Sequence, residues 1–551
     1  MRTARWARIA MVVCLTTSLI GVLSAQDATG DVAQLKAQVS QQQRQIEELS
    51  RKLEEFTKAL EQITRDKASE EPARLGARSP QNASGPLVAS TTPMIPAAPV
   101  SMAAPVAPAA SAQDKPAESS PLQLKVGDAY ITPVGFMDFT SVYRSHAAGG
   151  GIGTNFGSIP YGNVFQNKLS EERLSMQNSR IGLRVDAMVK GAHVIGYLET
   201  DFLGNNPGNV SVSSNSNTQR SRLYWVDIRK DQWELLGGQT WSLMTPNRTG
   251  ISPIPGNIFF TQNIDVNYQA GLVWGRIPEL RFVYHPSNKV AFAVALDHQE
   301  QYVGGSAGGG TPVFPTALNA TYNGGELNNG GTTLNAPQVF PDVIAKLAFD
   351  PSSKFHVEIG GIERAFRVWN PVNNNHYSAV GGGGFANLNF ELFKGFRLLT
   401  NNYWSDGGGR YIFGLAPDLI ARADGSISLI HSGSTVSGFE FTHKNTFLYG
   451  YYGGVYIGKN TAFDANGTTR IGYGFTGSPA GQNRNIQEAT FGFNQTLWKD
   501  AKYGALNFMG QYSYLSRNPW FIATGQPEDS HLNMVFLNLR YTLPGSAPTI
   551  K

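Results

Sequence analysis

Cysteine is nearly missing from this 551-residue chain: Cys14 is the only one, and it lies in the N-terminal segment. With that segment removed, disulfides, thiolate metal sites and cysteine nucleophiles are excluded together. Acidic residues are missing from the start, where none precedes Asp27 while Arg2, Arg5 and Arg8 supply positive charge. Long apolar runs are missing beyond Leu23, so no later stretch could cross a bilayer as a helix. An excess of one charge is missing too. Taking the three early arginines from the formal +4 leaves +1, with no basic patch of the kind nucleic-acid binders carry. Nine scattered histidines form no H-E-x-x-H pair, and the Gly-rich run 149–157 has no P-loop lysine. No cofactor, metal or catalytic residue is expected, and the chain reads as a non-enzyme.

What is present begins with a secretory signal over residues 1–25. Three arginines precede an apolar core from Ile9 to Leu23, and Ser24-Ala25 before Gln26 offers a cleavage site. Residues 26–67 then carry an unbroken heptad. Val32, Leu35, Val39, Gln42, Ile46, Leu49, Leu53, Phe56, Leu60 and Ile63 alternate at spacings of three and four. That period predicts a left-handed coiled coil with Leu35, Val39, Ile46, Leu49, Leu53, Phe56, Leu60 and Ile63 in its core. A lone helix would expose the seam, so self-association is expected, with two and three strands both open. A single amphipathic helix lying on another domain is the alternative. Residues 68–121 lose all periodicity and are rich in Ala, Pro and Ser, as an extended linker would be.

From about residue 122 to 544 the pattern changes to period two. Ile181, Leu183, Val185, Ala187 and Val189 share one face, and Arg180, Arg184 and Asp186 the other. After a Lys190-Gly191 turn, Val194, Leu198 and Phe202 oppose His193, Tyr197, Glu199 and Asp201. Similar segments recur to the last one, Asn533–Leu543, separated by tight turns and long Gly/Asn loops such as 304–338. A secreted chain without membrane helices that repeats amphipathic strands predicts an all-β transmembrane barrel, apolar toward lipid and polar toward the lumen. Counting segments gives about 16 antiparallel strands, preceded by the coil and linker in the periplasm and followed by a tail over 545–551.

Parity places Arg180, Arg184, Arg281, Lys346, Arg397 and Arg540 toward the lumen as basic pore-lining residues, with Asp186, Glu199, Asp201 and Asp297 as acidic ones. Two readings are open. Facing rows of opposite charge would select solutes, with guanidiniums favouring carboxylates; alternatively the charges pair across neighbouring strands. Arg222 and Arg229 fall in a strand of ambiguous parity. One loop, 243–261, is unusually apolar and carries Pro246, Arg248, Pro253, Pro255 and Phe259. It either folds inward as a constriction or packs outside on a neighbouring subunit.

The order of signal, heptad coil, Ala/Pro linker and barrel resembles the DcaP-like porins. The Gln177-Asn178-Ser179-Arg180-Ile181-Gly182-Leu183, Gly196-Tyr197-Leu198-Glu199-Thr200-Asp201-Phe202 and Gly237-Gly238-Gln239-Thr240-Trp241-Ser242 segments are similar to strand motifs of that group. The resemblance implies a homotrimer of sixteen-stranded barrels in the bacterial outer membrane, passing small anions and notably dicarboxylates. One departure is that the chain runs past Tyr541 and Pro544 to Lys551, whereas such barrels commonly end on an aromatic residue. The expected partners are outer-membrane lipid, further copies of the chain and small anionic solutes. A phosphate-selective porin and an envelope tether, whose coil binds peptidoglycan and whose barrel is an anchor, are the competing functions.

Overall fold

The computed structural model describes residues 120–545 apart from 206–215, 255–258, 267, 306–309 and 331–335. The signal, coil, linker and most of the tail, and Pro255 of the loop, lie outside the described residues.

Sixteen strands form the barrel. They are β1 (Ala129–Arg144), β2 (Arg180–Val189), β3 (Ala192–Asp201), β4 (Arg220–Lys230), β5 (Trp233–Trp241), β6 (Arg276–Ser287), β7 (Val290–Asp297) and β8 (Asp342–Ser352). β9 (Phe355–Asn370), β10 (Asn375–Phe393), β11 (Phe396–Asp406), β12 (His431–His443), β13 (Thr446–Ile457), β14 (Asn483–Asp500), β15 (Gly504–Pro519) and β16 (Ser530–Thr542) complete it. Each strand pairs antiparallel with the next, and β1 pairs with β16 as well as β2, so the sheet closes and leaves no long edge unpaired. A short piece, Glu171–Ser175, continues β2 along the upper half of β1 with one extra residue in register, a bulge at 176–179.

Tight turns at one end match the strand twist. Lys190, Asp231 and Lys444 take positive φ of 51°, 55° and 51°, as hairpin turns demand. At the other end the connections are mostly long, but β9 and β10 are joined there by residues 371–374 alone. Two strands are hard to see in the sequence. β10 contains Gly381–Gly384, which erases the alternation, and β6 carries Pro278. The stretch from Val436 to Ile457, which reads as one segment, is two strands broken at Lys444 and Asn445.

The outward face is apolar, with Ile181, Leu198, Val226, Leu280, Phe292, Leu347, Ile359, Phe491, Leu537 and Leu539 exposed. Aromatics gather toward its margins: Trp233 stacks on Tyr284 and Phe393 on Phe396 at the turn end, and Trp404 on Tyr456 at the loop end. An apolar band between aromatic girdles is what lipid and its two interfaces select, so this is a transmembrane barrel.

Candidate functional site

The inward face carries the charge. Alternation along each strand turns the polar residues away from lipid, and the lumen is then narrow enough for them to reach each other. The connection between β5 and β6, described at 242–254, 259–266 and 268–275, does not lie outside. It folds into the lumen and contacts every strand from β8 to β16.

These contacts explain the loop's path. Lys346 Nζ donates to Thr245 O at 2.8 Å, and Asn247 Nδ2 to Glu358 Oε1 at 3.0 Å. Arg248 grips Glu440 with two bonds of 2.5 and 2.7 Å, while its carbonyl accepts from Asn389 at 3.0 Å. Phe260 N donates to Tyr451 Oη at 2.9 Å, Ala270 N to Glu488 Oε2 at 2.7 Å, and Val273 N to Asn401 Oδ1 at 3.0 Å. Asn263 O accepts from Arg540, and Gln511 donates to Asp265 at 3.4 Å. Apolar side chains fill the space between: Phe259 meets Tyr451, and Phe260 lies against Phe447 and Tyr449. A loop backbone held inside a protein needs such partners for its N–H and C=O groups.

Close approach also constrains the wall. Gly453 of β13 faces the loop, and a Cβ there would sit 1.9 Å from Ala270 O and 3.1 Å from Gln269 Cγ. Gly453→Ala is therefore expected to push the loop off the wall at a cost of about 1–3 kcal/mol. A lower melting temperature together with a raised single-channel conductance would report it; unchanged values of both would show that the contact does not hold the loop.

Sequence parity and the structure can be compared residue by residue. Arg180, Arg281, Lys346 and Arg540 face inward and are almost fully buried. Arg184 and Arg397 also face inward but lie nearer the turn end and stay partly exposed. The charges do not stand in two facing rows; they are gathered into local clusters. Lys346 pairs with Glu358 at 3.0 Å, and Arg281 with Glu279 at 2.6 Å. Asp297 accepts from Ser242 at 2.7 Å. Arg184 pairs with Asp186 at 2.7 Å, and His193 also contacts Asp186, at 3.1 Å, rather than Glu199 or Asp201. Of the loop residues, Pro246 is buried, Pro253 O accepts from Thr240 at 2.8 Å, and Arg248 and Phe259 bind the far wall as described.

One cluster is richer in cations than the rest. Glu199 is held by Arg222 at 2.5 Å and by Arg180 at 3.7 Å, and Asp201 by Arg220 at 2.9 Å and Arg222 at 3.0 Å. Tyr197 Oη donates to Glu199 at 3.1 Å. Nearby, Arg540 pairs with Asp138 at 2.6 Å, and the Arg540 and Arg180 guanidiniums both lie over the Phe136 ring, at 4.0 and 5.1 Å. Arg276 enters from β6, where the loop ends. Buried guanidinium nitrogens here have no hydrogen-bond acceptor: Nε and both Nη of Arg180, Nε and Nη1 of Arg276, and Nη1 of Arg540. Tyr268, from the loop, sits in the same cluster and takes a positive φ of 67°.

The direction of Arg222 does not follow from alternation, for a physical reason. The β3–β4 register slips between Glu199 and Thr200, so Arg222 and Leu223 both turn inward and ordinary alternation fails there. Arg276, Glu440 and Tyr268 take their roles from distant partners, whereas Glu279 lies two residues from Arg281 and Glu358 two from His356.

At the loop end, connections 298–341 and 407–430 pack together. Tyr302 N donates to Asp418 Oδ2 at 2.9 Å, and Arg364 reaches Asp418 at 2.8 Å and Asp342 at 2.8 Å. Burial holds the Asp418 carboxyl above the ordinary range, with Arg364 pulling the other way.

No protein-family model and no curated protein matches the chain. Among solved structures it is similar to the outer membrane channel DcaP of Acinetobacter baumannii, with a TM-score of 0.51 and 17% identity, covering 76% of this chain and 98% of that one. The fold is that of a DcaP-like porin. An anion-selective porin from Comamonas acidovorans has a TM-score of 0.42 at 12% identity, covering 75% of this chain and 99% of its own. OprB of Pseudomonas putida has a TM-score of 0.39 at 11% identity, with coverages of 74% and 94%. The motifs quoted from the sequence fall together in this fold. The first brings Arg180 to the start of β2, the second places Tyr197, Glu199 and Asp201 inward, and the third runs into the loop that crosses the lumen.

Proposed function

We propose that this protein is an outer-membrane channel for small hydrophilic solutes that prefers anions, with dicarboxylates as the favoured class. Its tight-turn end would face the periplasm, where an N-terminal coil would hold copies of the chain together, in keeping with a homotrimer. The observation that carries the anion preference is the arginine cluster: Arg180, Arg220, Arg222, Arg276 and Arg540 against Asp138, Glu199 and Asp201. Buried N–H donors without acceptors are costly, and a carboxylate satisfies two at once on one guanidinium. Lysine would supply a point charge without that planar fork. A solute with carboxylates at both ends could leave one guanidinium while engaging the next, which favours conduction over trapping.

The zero-current potential of purified protein in a planar bilayer under a salt gradient tests this. The expected sign is anionic, with a shift on adding succinate that exceeds the shift on adding phosphate. A larger response to phosphate would move the assignment to a phosphate-selective porin. A cationic sign would remove the anion reading, and absence of conductance would leave the barrel as an anchor.

A further inference from the structure

A second site lies outside the lumen. A cleft of about 710 Å³ opens on the outer wall where β11, β12 and β13 reach the loop end, lined by Trp404, Asp406, His431, Tyr456, Lys459 and Trp520 among others. Trp404 and Tyr456 face outward and are 55% and 42% exposed. Gly433 stands between them in register, so their rings meet over it, with centroids 6.3 Å apart and planes within 10°. A side chain at Gly433 would enter that space, since its Cβ would lie 2.4 Å from the Trp404 ring. Trp520 closes the platform edge-on to Tyr456 at 6.1 Å, fixed by its indole N–H donating to Ile457 O at 2.9 Å.

Two cations stand beside the aromatics. Lys459 Nζ lies 4.5 Å from the Trp520 ring centroid and the Arg484 guanidinium 6.0 Å from it. Neither forms an ion pair with a carboxylate among the described residues; the carboxylate at this end, Asp406, is engaged by His431. Flat aromatic faces that remain exposed bind the C–H faces of sugar rings, and paired Lys and Arg bind phosphate. The position selects the source. Trp404 and Tyr456 belong to the loop-end aromatic girdle, directly above the apolar band that acyl chains cover. A ligand here would have a polar head level with the cleft and tails along the wall.

We propose that this cleft binds the phosphorylated sugar headgroup of a glycolipid in the surrounding leaflet. The reading does not rest on the channel's selectivity, because no lumen residue takes part.

Native mass spectrometry of the purified protein with a bisphosphorylated, acylated glucosamine disaccharide tests it. Wild type should retain the glycolipid, and Lys459→Gln with Arg484→Gln should weaken retention roughly tenfold, two charge-assisted contacts being lost. Trp404→Ala should weaken it too. Lys190→Gln with Lys289→Gln, at the turn end, should leave it unchanged, and all variants should keep the wild-type reversal potential. Equal retention by the Lys459/Arg484 variant would overturn the site, as would equal retention of the dephosphorylated glycolipid. Displacement by an equal concentration of glucosamine 1-phosphate would overturn the lipid assignment in favour of a soluble sugar phosphate.

Discussion

Replacing residues 245–273 by a short Gly/Ser connection between β5 and β6 is expected to raise single-channel conductance several-fold, the largest change any single alteration should produce. The loop touches every strand from β8 to β16, and the wall charges around it, among them Lys346, Glu358 and Glu488, are almost fully buried. Charges on a wide, water-filled lumen would be wet. Their burial means that the loop occupies the cross-section of the lumen, and in the proposed channel it would set the resistance. The barrel wall should survive the deletion, because closure depends on the strand pairings and none of these involves residues 245–273. Conductance recorded alongside a circular-dichroism check of strand content decides the matter. A folded barrel with unchanged conductance would show that the narrowest point lies elsewhere, with the 298–341 and 407–430 connections at the loop end as the next place to cut.

Removing guanidiniums whose N–H donors lack acceptors should act on selectivity, and removing the one that two carboxylates share should act on stability. Arg180→Gln combined with Arg276→Gln takes away donors that lack acceptors while leaving Glu199 and Asp201 held by Arg222 and Arg220. The zero-current potential should move strongly toward the cationic side, and the succinate response should disappear. Arg222→Leu is different. Arg222 is the residue that Glu199 and Asp201 share, and its side chain is fully buried. Truncating it leaves two buried carboxylates under-compensated, a loss of about 3–5 kcal/mol. Thermal unfolding in detergent should show a clearly lowered transition for Arg222→Leu and a small change for the double variant. If the double variant kept its anionic potential, the cluster would be a structural brace and the selectivity would have to come from another part of the lumen. If Arg222→Leu unfolded like wild type, the ion pairs would contribute nothing net.

The order of local patterns was legible in the residues themselves. Period two along 180–189 and 192–201, hairpin turns such as Lys190-Gly191, and the absence of any long apolar run lead to a barrel, because a strand in lipid must turn one face out and bond its neighbours on both sides. The inward direction of Arg180, Lys346 and Arg540 follows from that parity alone. What parity could not supply was the second partner. Arg540 meets Asp138 across 402 positions of sequence, and Arg248 meets Glu440 across 192. Contacts of that span exist only once the sheet has closed and the loop has entered it. The bulge that turns Arg222 inward is likewise a property of two strands in register, invisible in either one. Alternation is a local steric rule and is written in the chain; which charges neutralise one another, and which guanidiniums are left with donors to spare, is decided by the diameter of the closed barrel and by the path of the loop that crosses it.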